Sequence, residues 1–214
     1  MASIPKKWLY IPVIIFLALL LYTVIERTSI VNSFPLDRVN DISSYMGNLH
    51  FFKVYGYHAA VPNWYNGHYT LFQFYPPMWY FLTYPVLALT NNVALSTMIS
   101  IYLTFILALF IAFKIGKNEQ FSRMHSLTLF AFIFANPFVI SNFVRLGRPH
   151  ELLAWVLFFM LFYFVLKHRH KEITWKFLWI SIPYAMILLT HESVFLISSL
   201  VSPLAHLSET SPYA

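Results

Sequence analysis

The chain has 214 residues, of which 59% are hydrophobic, 20% aromatic and 10% charged, and its mean hydropathy is +0.63. A soluble domain carries about a quarter charged residues and under half apolar ones, so the composition excludes a soluble globular enzyme and a disordered chain. The absence of cysteine excludes a disulfide scaffold, thiolate metal sites and thiol nucleophiles. The net charge of +6 lies between apolar runs, where basic residues act as topology signals rather than as a nucleic-acid footprint.

The first apolar run, Trp8 to Ile25, follows Lys6 and Lys7 and is about 18 residues long. It lacks the short core and small-residue cleavage site of a secretory signal, so it reads as a retained membrane anchor. Later runs cover Met78–Thr90, Val93–Phe113, His125–Val144, Leu152–Leu166, Trp175–Thr190 and Ser193–Leu207. Most approach the length of about 20 residues that crosses a bilayer, the first and last of these being short. The expected fold is all-α: a polytopic helical membrane protein of about 6–7 membrane helices with one long extracytoplasmic loop after the first. It forms a single membrane domain over 1–214, divided into a first span (8–25), an extracytoplasmic loop (26–77) and a helical bundle (78–207).

The loop is rich in Tyr, Phe, Trp, His and Asn, and its charges cancel: Glu26, Asp37 and Asp41 against Arg27, Arg38 and Lys53. Lys6 and Lys7 place the N-terminus in the cytoplasm. The basic stretch Lys167-His168-Arg169-His170-Lys171 and the loop carrying Lys114, Lys117 and Arg123 also belong inside. These demands agree if Met78–Thr90 packs at the outer surface without crossing. An outer N-terminus would also satisfy the parity, against the two lysines. In the preferred arrangement the long loop, the Arg145–Glu151 turn and the His191-Glu192 pair all face outward.

Those three elements hold the candidate chemistry. Asp37 and Asp41 stand four apart and share a face if helical. Such a pair suits a divalent metal or a general base, or simply a solvated helix start with Arg38 as partner. Arg145 and Arg148 can bind phosphate, with His150 or Glu151 as ligand or proton acceptor. The same Gly147-Arg148-Pro149 stretch is otherwise a tight turn with Glu151 at a helix N-terminus. His191 and Glu192 interrupt an almost wholly apolar stretch, as a site or as a pair bridging helices. His50, His58 and His68 hint at copper or zinc, without the close spacing of a ligand set.

Together these motifs resemble the polytopic glycosyltransferases of the GT-C fold. The closer likeness is to the membrane family named after 6-pyruvoyl-tetrahydropterin synthase, and the oligosaccharyltransferase catalytic subunits are more distant. The resemblance rests on Gly67…Phe74-Tyr75-Pro76-Pro77-Met78, on Pro137…Arg145-Leu146-Gly147-Arg148-Pro149-His150-Glu151, and on Leu189-Thr190-His191. The family's first-loop motif often reads Asp-x-x-x-His, where this chain has Asp41 followed by Tyr45. Family members also continue for several more spans, where this chain stops at Ala214. The resemblance implies sugar transfer from a polyprenyl-phosphate donor on the outer face of a plasma membrane. It implies Asp41 or Asp37 as base or as ligands to Mg²⁺ or Mn²⁺. Arg145, Arg148, His150, Glu151, His191, Glu192 and Tyr75 would form the substrate and phosphate site. Implied partners are membrane lipids and the polyprenyl-phosphate sugar, with no nucleic acid. The alternative is a non-catalytic accessory subunit of a larger membrane complex with other membrane subunits. A small transporter or metal-handling protein is a third reading.

Overall fold

The structure is a computed structural model that describes residues 11–33, 41–57, 60–61, 69–70, 76–145, 147–169, 175 and 178–207. Within them the chain is helical: α1 Ile11–Ser33, α2 Ile42–Tyr55, α3 Met78–Thr90, α4 Val93–Asn118, α5 Arg123–Phe134, a short α6 Pro137–Ile140, α7 Pro149–His168, α8 Leu178–Leu188 and α9 Glu192–Leu207. A two-residue antiparallel ladder pairs Ala60–Val61 with Tyr69–Thr70. Among the described residues two helices, α4 and α7, are long and apolar enough to cross a membrane. A third is added if the bent pair α5–α6 counts as one span.

Local chemistry sets the boundaries. Helix α3 starts directly after Pro76-Pro77, where the missing N–H groups cost nothing. It ends at Asn91, left-handed at φ 54°, whose N–H donates to the Leu87 carbonyl at 2.8 Å. Asn92 then caps α4 by accepting from the Leu95 N–H at 2.9 Å, and Ser122 caps α5 by accepting from the His125 N–H at 3.2 Å. Helix α1 continues through Glu26-Arg27 to Ser33, past the expected end of the first span at Ile25. Neither Gly nor Pro interrupts it before Pro35.

The run His125–Val144, expected as one continuous span, is broken. Asn136 Nδ2 donates back to the Phe132 carbonyl at 2.8 Å, while its Oδ1 accepts from the Val139 N–H at 2.9 Å. One residue therefore ends α5 and caps α6, with Pro137 following. The two pieces meet at 45°, and Ser141–Arg145 continues as a π-helical turn.

Helix α7 is the shared wall of the bundle. Leu152, Val156 and Phe159 face a core with Phe105 and Ala108 of α4 and with Phe130 and Phe134 of α5. Leu153, Leu157 and Leu161 face a second core with Trp79, Tyr80, Ile187 and Val194. Helix α7 thus serves two cores with two of its faces, while a third, with Phe162, stays exposed.

Helices α4 and α7 run parallel. Arg169 Nη2 pairs with Glu119 Oε2 at 3.0 Å beyond their C-termini, while Leu153 lies level with Leu103 and Leu107 farther back. One end of the bundle is thus basic, with Lys114, Lys117, Arg123, Lys167 and Arg169 around Glu119. The ammonium groups of Lys114 and Lys167 lie over Phe110 and Tyr163.

Gly116 lets α4 and α5 approach closely, since a Cβ there would collide with Ser126 Oγ and lie 3.0 Å from Ser126 Cβ. Gly116→Ala is expected to lower stability by roughly 1–3 kcal/mol through overpacking. Ser126→Gly in the same chain should recover most of the loss, a coupling readable by thermal unfolding in detergent.

Candidate functional site

The end of the bundle away from the basic cluster gathers residues from four distant stretches of chain. Gly147, at φ 71°, turns the chain from the π-helical segment into α7. Pro149 takes the first helical position, and the Leu152 N–H donates to the Arg148 carbonyl at 3.1 Å. This places the Arg148 side chain across the start of α2. Its Nε donates to Asp41 Oδ2 at 2.9 Å, and its Nη1 lies 3.7 Å from Glu151 Oε2.

Asp41 stands at the N-cap of α2, yet its side chain makes no capping bond and turns to Arg148 instead. The hydrogen bond to Asp41 outweighs the loss of water around Arg148 and holds its guanidinium above the ordinary pKa, with the charges of Asp41 and Glu151 adding to this.

Beside this ion pair, His150 is 3% exposed. Tyr45, one helical turn after Asp41 on α2, meets its ring edge-on with centroids 3.9 Å apart. Trp79 and Tyr80 of α3 each lie 6.0 Å from it. Asn48 Nδ2 donates to the Tyr80 hydroxyl at 3.3 Å, tying α2 to α3. Tyr45 of α2 thus packs on a histidine supplied by another helix. The N–H of Met78 donates to the Leu189 carbonyl at 2.9 Å, which joins the start of α3 to the end of α8. That junction delivers Thr190, His191, Glu192 and Ser193 to the same place. With Tyr45, Pro76 and His150 they line a cavity of about 260 Å³. His191 Nδ1 is buried there without a hydrogen-bond partner among the described residues.

A larger apolar groove of about 570 Å³ lies between α5, α6, the π-helical segment and α7. Phe134, Phe138, Phe143, Phe159 and Trp155 line it, and Glu151 is its one charged lining residue. Glu151 therefore connects the groove with the Arg148–Asp41 pair.

Of the residues expected from sequence, Asp41, Arg148 and Glu151 form one charged cluster, while His150, His191 and Glu192 line one cavity. Asp37 and Tyr75 lie outside the described residues, as does the side chain of Arg145. Of the three loop histidines, His50 is exposed on α2, and His58 and His68 lie outside the described residues. Among the described residues no three metal-ligating groups converge, and Asp41 is engaged by Arg148. Sequence reasoning missed the aromatic cage of Tyr45, Trp79 and Tyr80. Its only signal was the one-turn spacing from Asp41 to Tyr45.

Comparison of the chain with protein-family models, with curated proteins and with solved structures gives no match. The functional reading therefore stands on the short motifs and on this geometry.

Proposed function

We propose that this chain is a polytopic membrane transferase of the GT-C type, moving a sugar from a polyprenyl-phosphate donor to an acceptor hydroxyl. The observation that carries the reading is the convergence of Asp41, Arg148, Glu151, His150 and His191 at the head of a long aromatic groove. Ionisable groups at a membrane edge are costly and persist where they have work to do. In this reading α1, α4, the broken α5 segment, α7, α8 and α9 cross the membrane. Helices α2 and α3 lie at the outer surface, and the basic end faces the cytoplasm.

The reaction breaks the bond from the sugar's anomeric carbon to phosphate oxygen and forms one to the acceptor oxygen. Charge grows on the leaving lipid phosphate, and Arg148 stabilises it, with His191 as a hydrogen-bonding neighbour. The acceptor proton passes to the Asp41 carboxylate, whose Oδ1 is not the oxygen bound by Arg148. The lipid chain lies in the Phe-lined groove. Mg²⁺ or Mn²⁺ would require ligands beyond those among the described residues.

The test is transfer by the full chain reconstituted in vesicles with a polyprenyl-phosphate sugar. Asp41→Asn is expected to reduce turnover by about 10²–10⁴-fold while the protein still inserts. Full activity in that variant would sink the assignment. Ile133→Trp, which fills the groove, should raise KM for a long-chain donor and leave a short-chain donor nearly unaffected.

One observation favours the accessory-subunit reading: Arg148 sits between two carboxylates, as a latch holding α2 to α7 would. That reading expects stable partner subunits and indifference to the removal of His191.

A further inference from the structure

The facing sides of α3 and α4 do not close completely behind the His150 cage. Trp79 and Thr83 stand one turn apart on α3, and Ser100 and Thr104 stand one turn apart on α4. Between them lies a crevice of about 150 Å³ with no charged lining residue. Its lining also includes Leu82 and Leu103, each 48% exposed on the outside of the bundle.

Trp79 and Thr83 are each 1% exposed, and Trp79 Nε1 and Thr83 Oγ1 have no hydrogen-bond partner among the described residues. Thr104 spends its proton on the Ser100 carbonyl at 2.7 Å. A buried N–H or O–H without a partner is destabilising, and a lipid oxygen at the headgroup boundary, where α3 lies in this reading, can relieve it. Both groups belong to residues lining one wall of an uncharged crevice, and a neutral oxygen acceptor entering it would satisfy them. The exposed leucines on its wall point to arrival from the bilayer rather than from water.

We infer that this crevice is a side-entry site for the uncharged oxygen of a membrane lipid, an ester carbonyl or a hydroxyl. That oxygen accepts from Trp79 Nε1 and Thr83 Oγ1, and its apolar body lies along Leu82 and Leu103. The Trp79 ring lies 6.0 Å from His150 and 6.4 Å from Tyr45, so an occupant would brace the cage from behind. The inference rests on the membrane placement of the chain and not on the transfer reaction.

The test uses the full chain in phosphatidylcholine vesicles containing either a diazirine-bearing glycerolipid, tagged near its ester, or a diazirine-bearing long-chain alcohol. After irradiation, labelled residues are mapped by mass spectrometry. One probe is expected to label residues 79–83 and 100–107, and which probe does so assigns the ester or the hydroxyl. Thr83→Val should lower that labelling about 3- to 10-fold, the worth of one hydrogen bond, and Thr83→Ser should restore it. Ser100→Leu, which fills the crevice and leaves Thr83 in place, should abolish it. Labelling that ignores both substitutions, or no label on these segments, overturns the site and leaves a crevice holding only water. Carbonate extraction separates the two failures. A chain retained in the membrane but unlabelled refutes this site alone, whereas a chain released from the membrane refutes the membrane placement.

Discussion

Arg148→Ala is expected to lower sugar transfer about 10²–10³-fold, the typical loss when one preorganised donor to a developing oxyanion is removed. The guanidinium is held by Asp41 at 2.9 Å and approached by Glu151 at 3.7 Å, so it is aimed before any substrate arrives. Its charge is secure across the working pH range, because its pKa is raised and not lowered. Arg148→Lys keeps the charge but loses the planar fork, and should recover only part of the activity. A double substitution, Asp41→Asn with Arg148→Ala, separates catalysis from bracing. If the two residues act as one unit, the pair costs little more than the worse single change. Wild-type transfer by Arg148→Ala would refute its phosphate role. Loss of membrane-inserted protein in that variant, rescued by Asp41→Asn, would identify the pair as a structural latch.

The largest expected stability effect belongs to Gly147→Ala. Gly147 has φ 71°, a region in which a side chain costs about 1–3 kcal/mol. An added Cβ would also collide with Ile42 Cβ and lie 3.2 Å from Ile42 Cα, so helix α2 itself would have to move. Overpacking of this kind adds roughly 1–3 kcal/mol, giving an expected loss of about 2–6 kcal/mol in thermal or denaturant unfolding in detergent. Because Ile42 follows Asp41, the same displacement pulls the carboxylate from Arg148, so activity should fall with stability. Gly147→Asn distinguishes the two causes. Asparagine tolerates the left-handed conformation but keeps the clashing Cβ, so it should remain strongly destabilising. Near wild-type stability for Gly147→Asn would show that backbone conformation, not contact with α2, sets the requirement for glycine.

Much of the local architecture was legible in the residues. Pro76-Pro77, Asn91-Asn92, Ser122 and Pro149 mark helix boundaries through backbone chemistry that acts within a few residues, and α3, α4, α5 and α7 begin or end at them. The break in the run His125–Val144 was also written there, as Asn136-Pro137, but the apolar run on either side concealed it. Asp41, Arg148, His150, Glu151, His191 and Glu192 could be picked out because charge is scarce in an apolar chain. Their partners could not. Asp41 and Arg148 are 107 positions apart, and whether they meet depends on how α2 and α7 are rotated and stacked. The same limit hid Tyr45, Trp79 and Tyr80, which look like ordinary interfacial aromatics until His150 is placed among them.

The bond from the Met78 N–H to the Leu189 carbonyl has a consequence for biogenesis. The start of α3 emerges from the ribosome more than a hundred residues before its partner does. His191 and Glu192 arrive later still, at the head of α9. A nascent chain that ends before α8 can already form the Arg148–Asp41 pair, but it has only part of the cavity wall. The cavity is therefore completed by the α8–α9 junction, and on the proposed reading a chain arrested before α8 would hold the ion pair yet be inert.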